Sequence, residues 1–431
     1  QEIEEKFFLP TMILEARNYN KMIKDGKRHP FEQKVLVICS FQFAARHAEE
    51  LMVTPWDLAV IDEAHRLRNV YRPDNKIGKA LKGALANTPK VLLTATPLQN
   101  SLMELYGLVS IIDDYTFGDA KSFRTQYARL TGESLFNELK GRLAPVCQRT
   151  LRRQVLEYIR YTNRIPVTQE FVPTDDEQAL YDMVSDYLRR PSLQALPSGQ
   201  RTLMTLIMRK LLASSTFAIA GALDSLAQKL ERQLKEDKDL KSRLEEEIAE
   251  DYEEFDEVAD EWSDEDAERE LLTETDIEAI KFEIDDLRTF RDLAVTITEN
   301  AKGQSLLGAL NVGFAKAAEL GGPEKTIIFT ESRRTQDYLV RLLSENGYGD
   351  KLVLFNGSNN DPQSKEIYNT WREVNKDSDK ITGSRTADIR AALVDYFREK
   401  ASIMIATEAA AEGINLQFCS MVVNYDLPWN P

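Results

Sequence analysis

Cysteine and histidine are scarce, with three of each in 431 residues. Cys39, Cys147 and Cys419 lie far apart with no CxxC, and His29, His47 and His65 share no ligand spacing, so neither a disulfide framework nor a zinc site is expected. No run approaches the roughly 18 apolar residues of a membrane helix. The opening Gln1-Glu2-Ile3-Glu4-Glu5-Lys6 carries no basic-then-apolar signal pattern. A soluble, cytoplasmic protein without membrane contact is the expectation. There is no GxxxxGKS/T phosphate loop either: Gly26-Lys27 runs into Arg28 and Gly78-Lys79 into Ala80, neither with the required upstream glycine. A repeat of about 20 to 50 residues, the mark of solenoids, is also missing.

Positive charge is short overall, with a formal net charge of -16, but the deficit is local. Residues 231–286 hold 26 acidic and 7 basic side chains, a net of -19, which leaves the rest of the chain at +3. Whole-chain acidity therefore says little about what the remainder binds. From about residue 243 to 270 the stretch has too few apolar residues for a packed core and reads as a solvated helical or disordered arm outside either domain. Its deletion is expected to leave the domains folded.

What the sequence does have is the grammar of an α/β protein long enough for two or three domains. Val35-Leu36-Val37-Ile38, Leu58-Ala59-Val60-Ile61 and Val91-Leu92-Leu93 read as buried parallel strands, with Phe43 to Leu51 and Lys76 to Ala86 as crossover helices. The same grammar returns in Thr326-Ile327-Ile328-Phe329, Leu352-Val353-Leu354, Ile403-Met404-Ile405 and Met421-Val422-Val423-Asn424. Helical spacing fills 102–161 and 175–230. The expected domains are 1–165, a helical insertion at 166–300 carrying the acidic arm, and 301–431.

Three strand ends carry possible chemistry. The second strand runs into Asp62-Glu63-Ala64-His65, and carboxylates at the carboxyl end of a buried strand point into the crevice where open α/β sheets bind ligands. Asp62 is placed to hold Mg²⁺, and Glu63 to orient and deprotonate an attacking water. Thr94-Ala95-Thr96-Pro97 ends the next strand; in isolation it is a turn, with Thr96 capping a helix begun at Pro97. In the second domain, Ala406-Thr407-Glu408-Ala409-Ala410-Ala411-Glu412-Gly413-Ile414-Asn415 pairs small residues with neutral polar ones at a strand end.

The blocks WDLAVIDEAHRLRN, LLTATPLQNSLMELYGL, TIIFTES, IATEAAAEGINLQ and NYDLPWNP, in that order, resemble superfamily 2 helicase motors. TATPLQN and NYDLPWNP make the chain similar to the Swi/Snf family, and to its bacterial RapA/HepA-like branch in particular. The resemblance implies two RecA-like parallel-sheet lobes, ATP and Mg²⁺ as cofactors, and duplex DNA as partner through its phosphate backbone. A protein complex, or a protein displaced from DNA, is a further implied partner in a bacterial, nucleoid-associated setting. Residue by residue, the DEAH box of Asp62, Glu63 and His65 is similar to motif II, and Thr94 and Thr96 to motif III, which couples nucleotide state to domain closure. In the block similar to motif V, Thr407 would face a DNA phosphate and Gly413 and Asn415 the nucleotide. Ser40 resembles a DNA-backbone contact, and Arg149, Arg152 and Arg153 an arginine-bearing segment. The family's phosphate loop lies upstream of Gln1 and its two-arginine motif after Pro431, so the chain reads as a truncated motor with both lobes incomplete, inactive alone. An RNA helicase, the motor of a restriction or phage-defence complex, and a non-catalytic nucleic-acid-binding scaffold are the rival readings.

Overall fold

The computed structural model describes residues 2–98, 101–127, 133–151, 154, 165–196, 201–234, 274–376, 378, 380–407 and 414–426. It divides into two compact units, residues 1–165 with 379–385, and residues 166–378 with 386–431. Both are α/β, and every strand pairing within them is parallel.

In the first unit, β1 (Thr11–Ile13) pairs with β2 (Leu36–Ile38), and β3 (Ala59–Ile61) with β4 (Lys90–Leu92). The last three strands lie within a residue of the apolar runs in the sequence; β1, the Thr11-Met12-Ile13 segment, is not among them. The expected helix from Phe43 to Leu51 is two helices, Phe41–Arg46 and Ala48–Val53, separated at His47. With the Lys76–Ala84 helix they bury Phe43, Leu51 and Leu81 in one core with Leu14, Phe31, Ile61 and Leu67.

Burial of these strands differs from expectation. Leu36, Ile38, Val60 and Val91 are at least a third exposed, while Val37, Ile61 and Leu92 face the core. Successive side chains of a strand point to opposite faces, and among the described residues helices cover only one. A continuous apolar run therefore does not mark burial on both sides here.

The second unit joins a helical module to a four-stranded sheet. Helices Asp175–Leu188, Arg201–Ser214, Thr216–Leu234 and Glu274–Thr296 share a core around Val184, Tyr187, Ile219, Leu223, Ile280 and Leu287. A Thr174–Glu177 capping box starts the first of them. Glu283 is buried in this module, accepting from the Tyr187 hydroxyl at 2.7 Å and from the Gln194 and Ala195 amides at 2.7 and 3.0 Å. The acidic stretch thus rejoins packed structure by residue 274, and its middle, 235–273, lies outside the described residues. The sheet has the order β6-β7-β5-β8, from β5 (Thr326–Thr330), β6 (Leu352–Phe355), β7 (Ile403–Thr407) and β8 (Met421–Asn424). β7 is buried along its whole length, as its apolar run predicts.

Module and sheet are tied together by a network centred on one carboxylate. Asp426, two residues past β8, accepts from the hydroxyls of Ser214 (2.9 Å) and Thr330 (2.7 Å), from the Glu331 amide (3.2 Å) and from Lys302 Nζ (2.8 Å). Lys302 also donates to the Ala213 carbonyl at 3.0 Å and sits 4.2 Å from the centre of the Tyr425 ring. Lys210 reaches Glu331 at 2.5 Å from the same helix that supplies Ser214. Burial, more than its charged neighbours, pushes the Tyr425 phenol well above its ordinary value. Asp426 is 8% exposed and Lys302 half-buried, so deleting the carboxylate strands a cation and two hydroxyls where water is scarce. Asp426→Ala should destabilise the second unit by about 3–5 kcal/mol, and Asp426→Asn by less. Urea unfolding followed by far-UV circular dichroism checks this; an alanine variant as stable as the parent chain would show that the network carries no net stability.

Candidate active site

Parallel pairing of β3 with β4 sets Ile61 against Leu92. The pairing continues past the strands: Leu93 N–H donates to the Ile61 carbonyl at 2.8 Å and Ala64 N–H to the Leu93 carbonyl at 2.9 Å. Asp62-Glu63 and Thr94-Ala95-Thr96, about thirty residues apart in sequence, thereby leave the same edge of the sheet side by side. That edge is the carboxyl one, where α/β sheets bind ligands.

Glu63 is bent into the left-handed region, with φ 47° and ψ 44°. A residue with a β-carbon adopts this conformation only when its surroundings hold it there. Two of those holds are visible: the Asp62 carboxylate accepts from the Glu63 amide at 2.9 Å, and the next amide is the one bound to Leu93. Both carboxylates are exposed. His65 brings Nδ1 to 3.2 Å from Glu63 Oε2, without the alignment of a directed hydrogen bond. Thr94 Oγ1 accepts from Thr96 N–H at 3.1 Å, which fixes the turn after β4. No helix begins at Pro97. The next starts at Leu102, capped by the Ser101 hydroxyl on Met103 N–H at 3.1 Å, so a helix-capping role for Thr96 does not hold.

The acidic pair suits Mg²⁺. That ion is a hard cation which uses one or two carboxylates and completes its octahedron with water and phosphate oxygens. Asp62 engages one oxygen with the Glu63 amide, leaving the second for such a ligand, and Glu63 stands next to it on an open surface.

Other sequence-derived candidates fare differently. Ser40 caps the Phe41–Arg46 helix by accepting from Phe43 N–H at 3.2 Å, a structural task that accounts for it without DNA. In the second unit, Thr407 ends β7 opposite Thr330 and is 1% exposed, so its hydroxyl is not presented to solvent as a phosphate contact requires. Asn415 is exposed and accepts from Gln417 N–H at 3.2 Å in a local turn. Gly413, Arg152 and Arg153 lie outside the described residues; Arg149 is exposed.

Sequence reasoning passed over Asp426 and Lys302. Two signals pointed to them. Asp426 follows a strand just as Asp62 does, and Lys302 stands in the first turn of the Ala301–Glu319 helix, where the helix dipole disfavours a cation unless a carboxylate is near.

Two families match the chain: the SNF2-related domain over residues 2–216 and the helicase conserved C-terminal domain over residues 335–431. An uncharacterized ATP-dependent helicase of Bacillus subtilis (strain 168), YqhH, is 28% identical over 436 residues, covering 100% of this chain and 59% of the relative. Protein CHROMATIN REMODELING 4 of Arabidopsis thaliana is 29% identical over 37% of the chain and 7% of its own length. Human chromodomain-helicase-DNA-binding protein 7 is 34% identical over 28% of the chain and 4% of its own. The chain thus spans about three-fifths of the bacterial relative and far less of the eukaryotic ones. Among solved structures, a Sulfolobus solfataricus SWI2/SNF2 ATPase core in complex with dsDNA aligns at 14% identity and a TM-score of 0.27, covering 99% of this chain and 73% of that one. The Pyrococcus furiosus Hef helicase domain aligns at 15% and 0.32, covering 97% and 81%. Both are only loosely similar in overall arrangement. With an SNF2-related domain matched over residues 2–216 and a helicase conserved C-terminal domain over residues 335–431, the chain belongs to the SNF2-related family.

Proposed function

We propose that the chain is the motor portion of an ATP-driven translocase that tracks along duplex DNA, or remodels proteins on it, without necessarily separating the strands. The observation that supports this best is the meeting of Asp62-Glu63 with Thr94 at the carboxyl edge of the β3–β4 pair. There Glu63 orients and deprotonates the attacking water, and Asp62 would hold a Mg²⁺, which would supply neutralisation of phosphate charge. His65, Thr94 and Thr96, tied into the same turns, report nucleotide state to the rest of the lobe. The relatives' names, which speak of an ATP-dependent helicase, DNA binding and chromatin remodelling, support the same reading. TATPLQN, NYDLPWNP and a Bacillus relative matched along the whole chain favour the bacterial RapA/HepA-like branch, at work on the nucleoid. In the second unit Asn415 is the exposed candidate for nucleotide contact, with Gly413 beside it in sequence.

Glu63→Gln keeps shape and removes the base. In a protein that carries this chain together with a GxxxxGKS/T segment, it should leave ATP binding intact and lower phosphate release by about 10²- to 10⁴-fold. Asp62→Asn should instead weaken Mg²⁺-dependent nucleotide binding. The 431 residues contain no such segment, and on their own they should release phosphate no faster than their Glu63→Gln variant. Single-turnover hydrolysis and nucleotide titration measure these effects; a Glu63→Gln protein with unchanged turnover would remove the acidic pair from the mechanism.

A motor that moves along any sequence holds phosphates rather than base edges. Binding to unrelated duplexes should be equal at fixed salt and fall steeply as salt rises, as read by fluorescence anisotropy. Strong preference for one duplex sequence, or for RNA over DNA, would count against the proposal.

A further inference from the structure

Just past each of the two blocks of the candidate active site, the chain contributes a wall to an open cleft of about 550 Å³. Tyr71 and Arg72, which follow the DEAH block, form one part of the lining. Ser101 and Met103, at the start of the Leu102–Ile112 helix that follows TATPLQN, form another. The Ala120–Tyr127 helix adds Phe123 and Tyr127, each 1% exposed, and Arg124.

The chemistry of this lining is cationic and aromatic. Among the described residues it contains two arginines and no Asp or Glu; Arg72 has a partner within the fold. Arg124 is exposed and has no hydrogen bond or ion pair among the described residues. On the Glu133–Leu143 helix, Glu138 is already engaged by Arg142 at 3.0 Å and by the Tyr127 hydroxyl at 3.1 Å. A guanidinium with no carboxylate to satisfy it matches a phosphate in charge and in fork geometry.

The cleft is mechanically joined to the catalytic turn. Gly107, in the middle of the Leu102–Ile112 helix, packs so closely on the segment after the DEAH box that a Cβ there would lie 1.9 Å from the Arg68 carbonyl oxygen and 3.3 Å from the Tyr71 ring. Helix and post-DEAH segment have no slack between them, so a ligand gripping Arg72 on one and Arg124 beside the other bears on both.

We propose that this cleft is a phosphodiester subsite, in which Arg72 and Arg124 hold a phosphate of the DNA backbone next to the nucleotide-coupling turns. The inference rests on the duplex-DNA reading above and adds to it a place and two residues. Duplex binding is measured by anisotropy over a salt series for the 431-residue chain, for Arg124→Ala and Arg124→Lys, and for the Arg72→Gln/Arg124→Ala pair. Arg124→Ala should weaken binding uniformly across sequences and lower the slope of log K against log salt by about one unit, the double variant by about two, with Arg124→Lys near the parent chain. Unchanged melting temperatures establish that the variants are folded, and Arg124→Gln replaces any that is not. If the parent chain binds duplex and the variants keep its slope, the subsite is wrong while the DNA reading stands. If the parent chain binds no duplex at any salt, the DNA reading itself fails. Competition for the cleft by polyglutamate in the absence of DNA binding would overturn the proposal in favour of an acidic protein partner.

Discussion

Everything proposed for the first unit depends on a three-residue ladder. The parallel pairing of Ala59–Ile61 with Lys90–Leu92 puts both carboxyl ends on one edge of the sheet and keeps them in register beyond the strands, through the amides of Leu93 and Ala64. A slip of one residue would turn every side chain of one strand to the other face and part the acidic pair from the threonine turn. The register is specified by packing: Ile61 is buried with Ala64 and Leu67, whereas Val60 and Val91 have no apolar environment to exchange for it.

Much of this was legible in the residues. The strand runs, the two-domain alternation and the strand-end position of Asp62-Glu63 all follow from apolar patterning interrupted by polar residues. The exposure of Leu36, Ile38, Val60 and Val91 was not legible, because an apolar run fixes only that a strand is capable of burial. The split at His47 escaped for a related reason. Helical periodicity there is continuous, but His47 takes a non-helical conformation while its ring stacks 4.2 Å from Tyr19 and 4.5 Å from Phe43, a tertiary preference that overrides the local pattern. Lys302 looked like one surface lysine among many, since the carboxylate that explains it lies 124 residues away.

The two strand-end aspartates show how one residue type serves opposite ends. Asp62 stands in water with a single backbone partner, which keeps it available to a ligand. Asp426 is enclosed by a cation, two hydroxyls and an amide, and its bonding capacity is used up within the fold. Both follow a parallel strand, Asp62 by one residue and Asp426 by two. Exposure and partner count separate the reactive carboxylate from the structural one, and neither can be read from spacing.

Glu63 carries an implication for how the domain weighs durability against chemistry. Its left-handed backbone is one that glycine adopts freely and that costs a β-carbon residue about 1–2 kcal/mol. A glycine at this position would relax the turn and toughen the fold, while erasing the carboxylate that the turn exists to present. Selection for thermal endurance alone would drift toward that exchange. A glutamate held in a conformation that disfavours it marks a site where the chain is less stable than it could be.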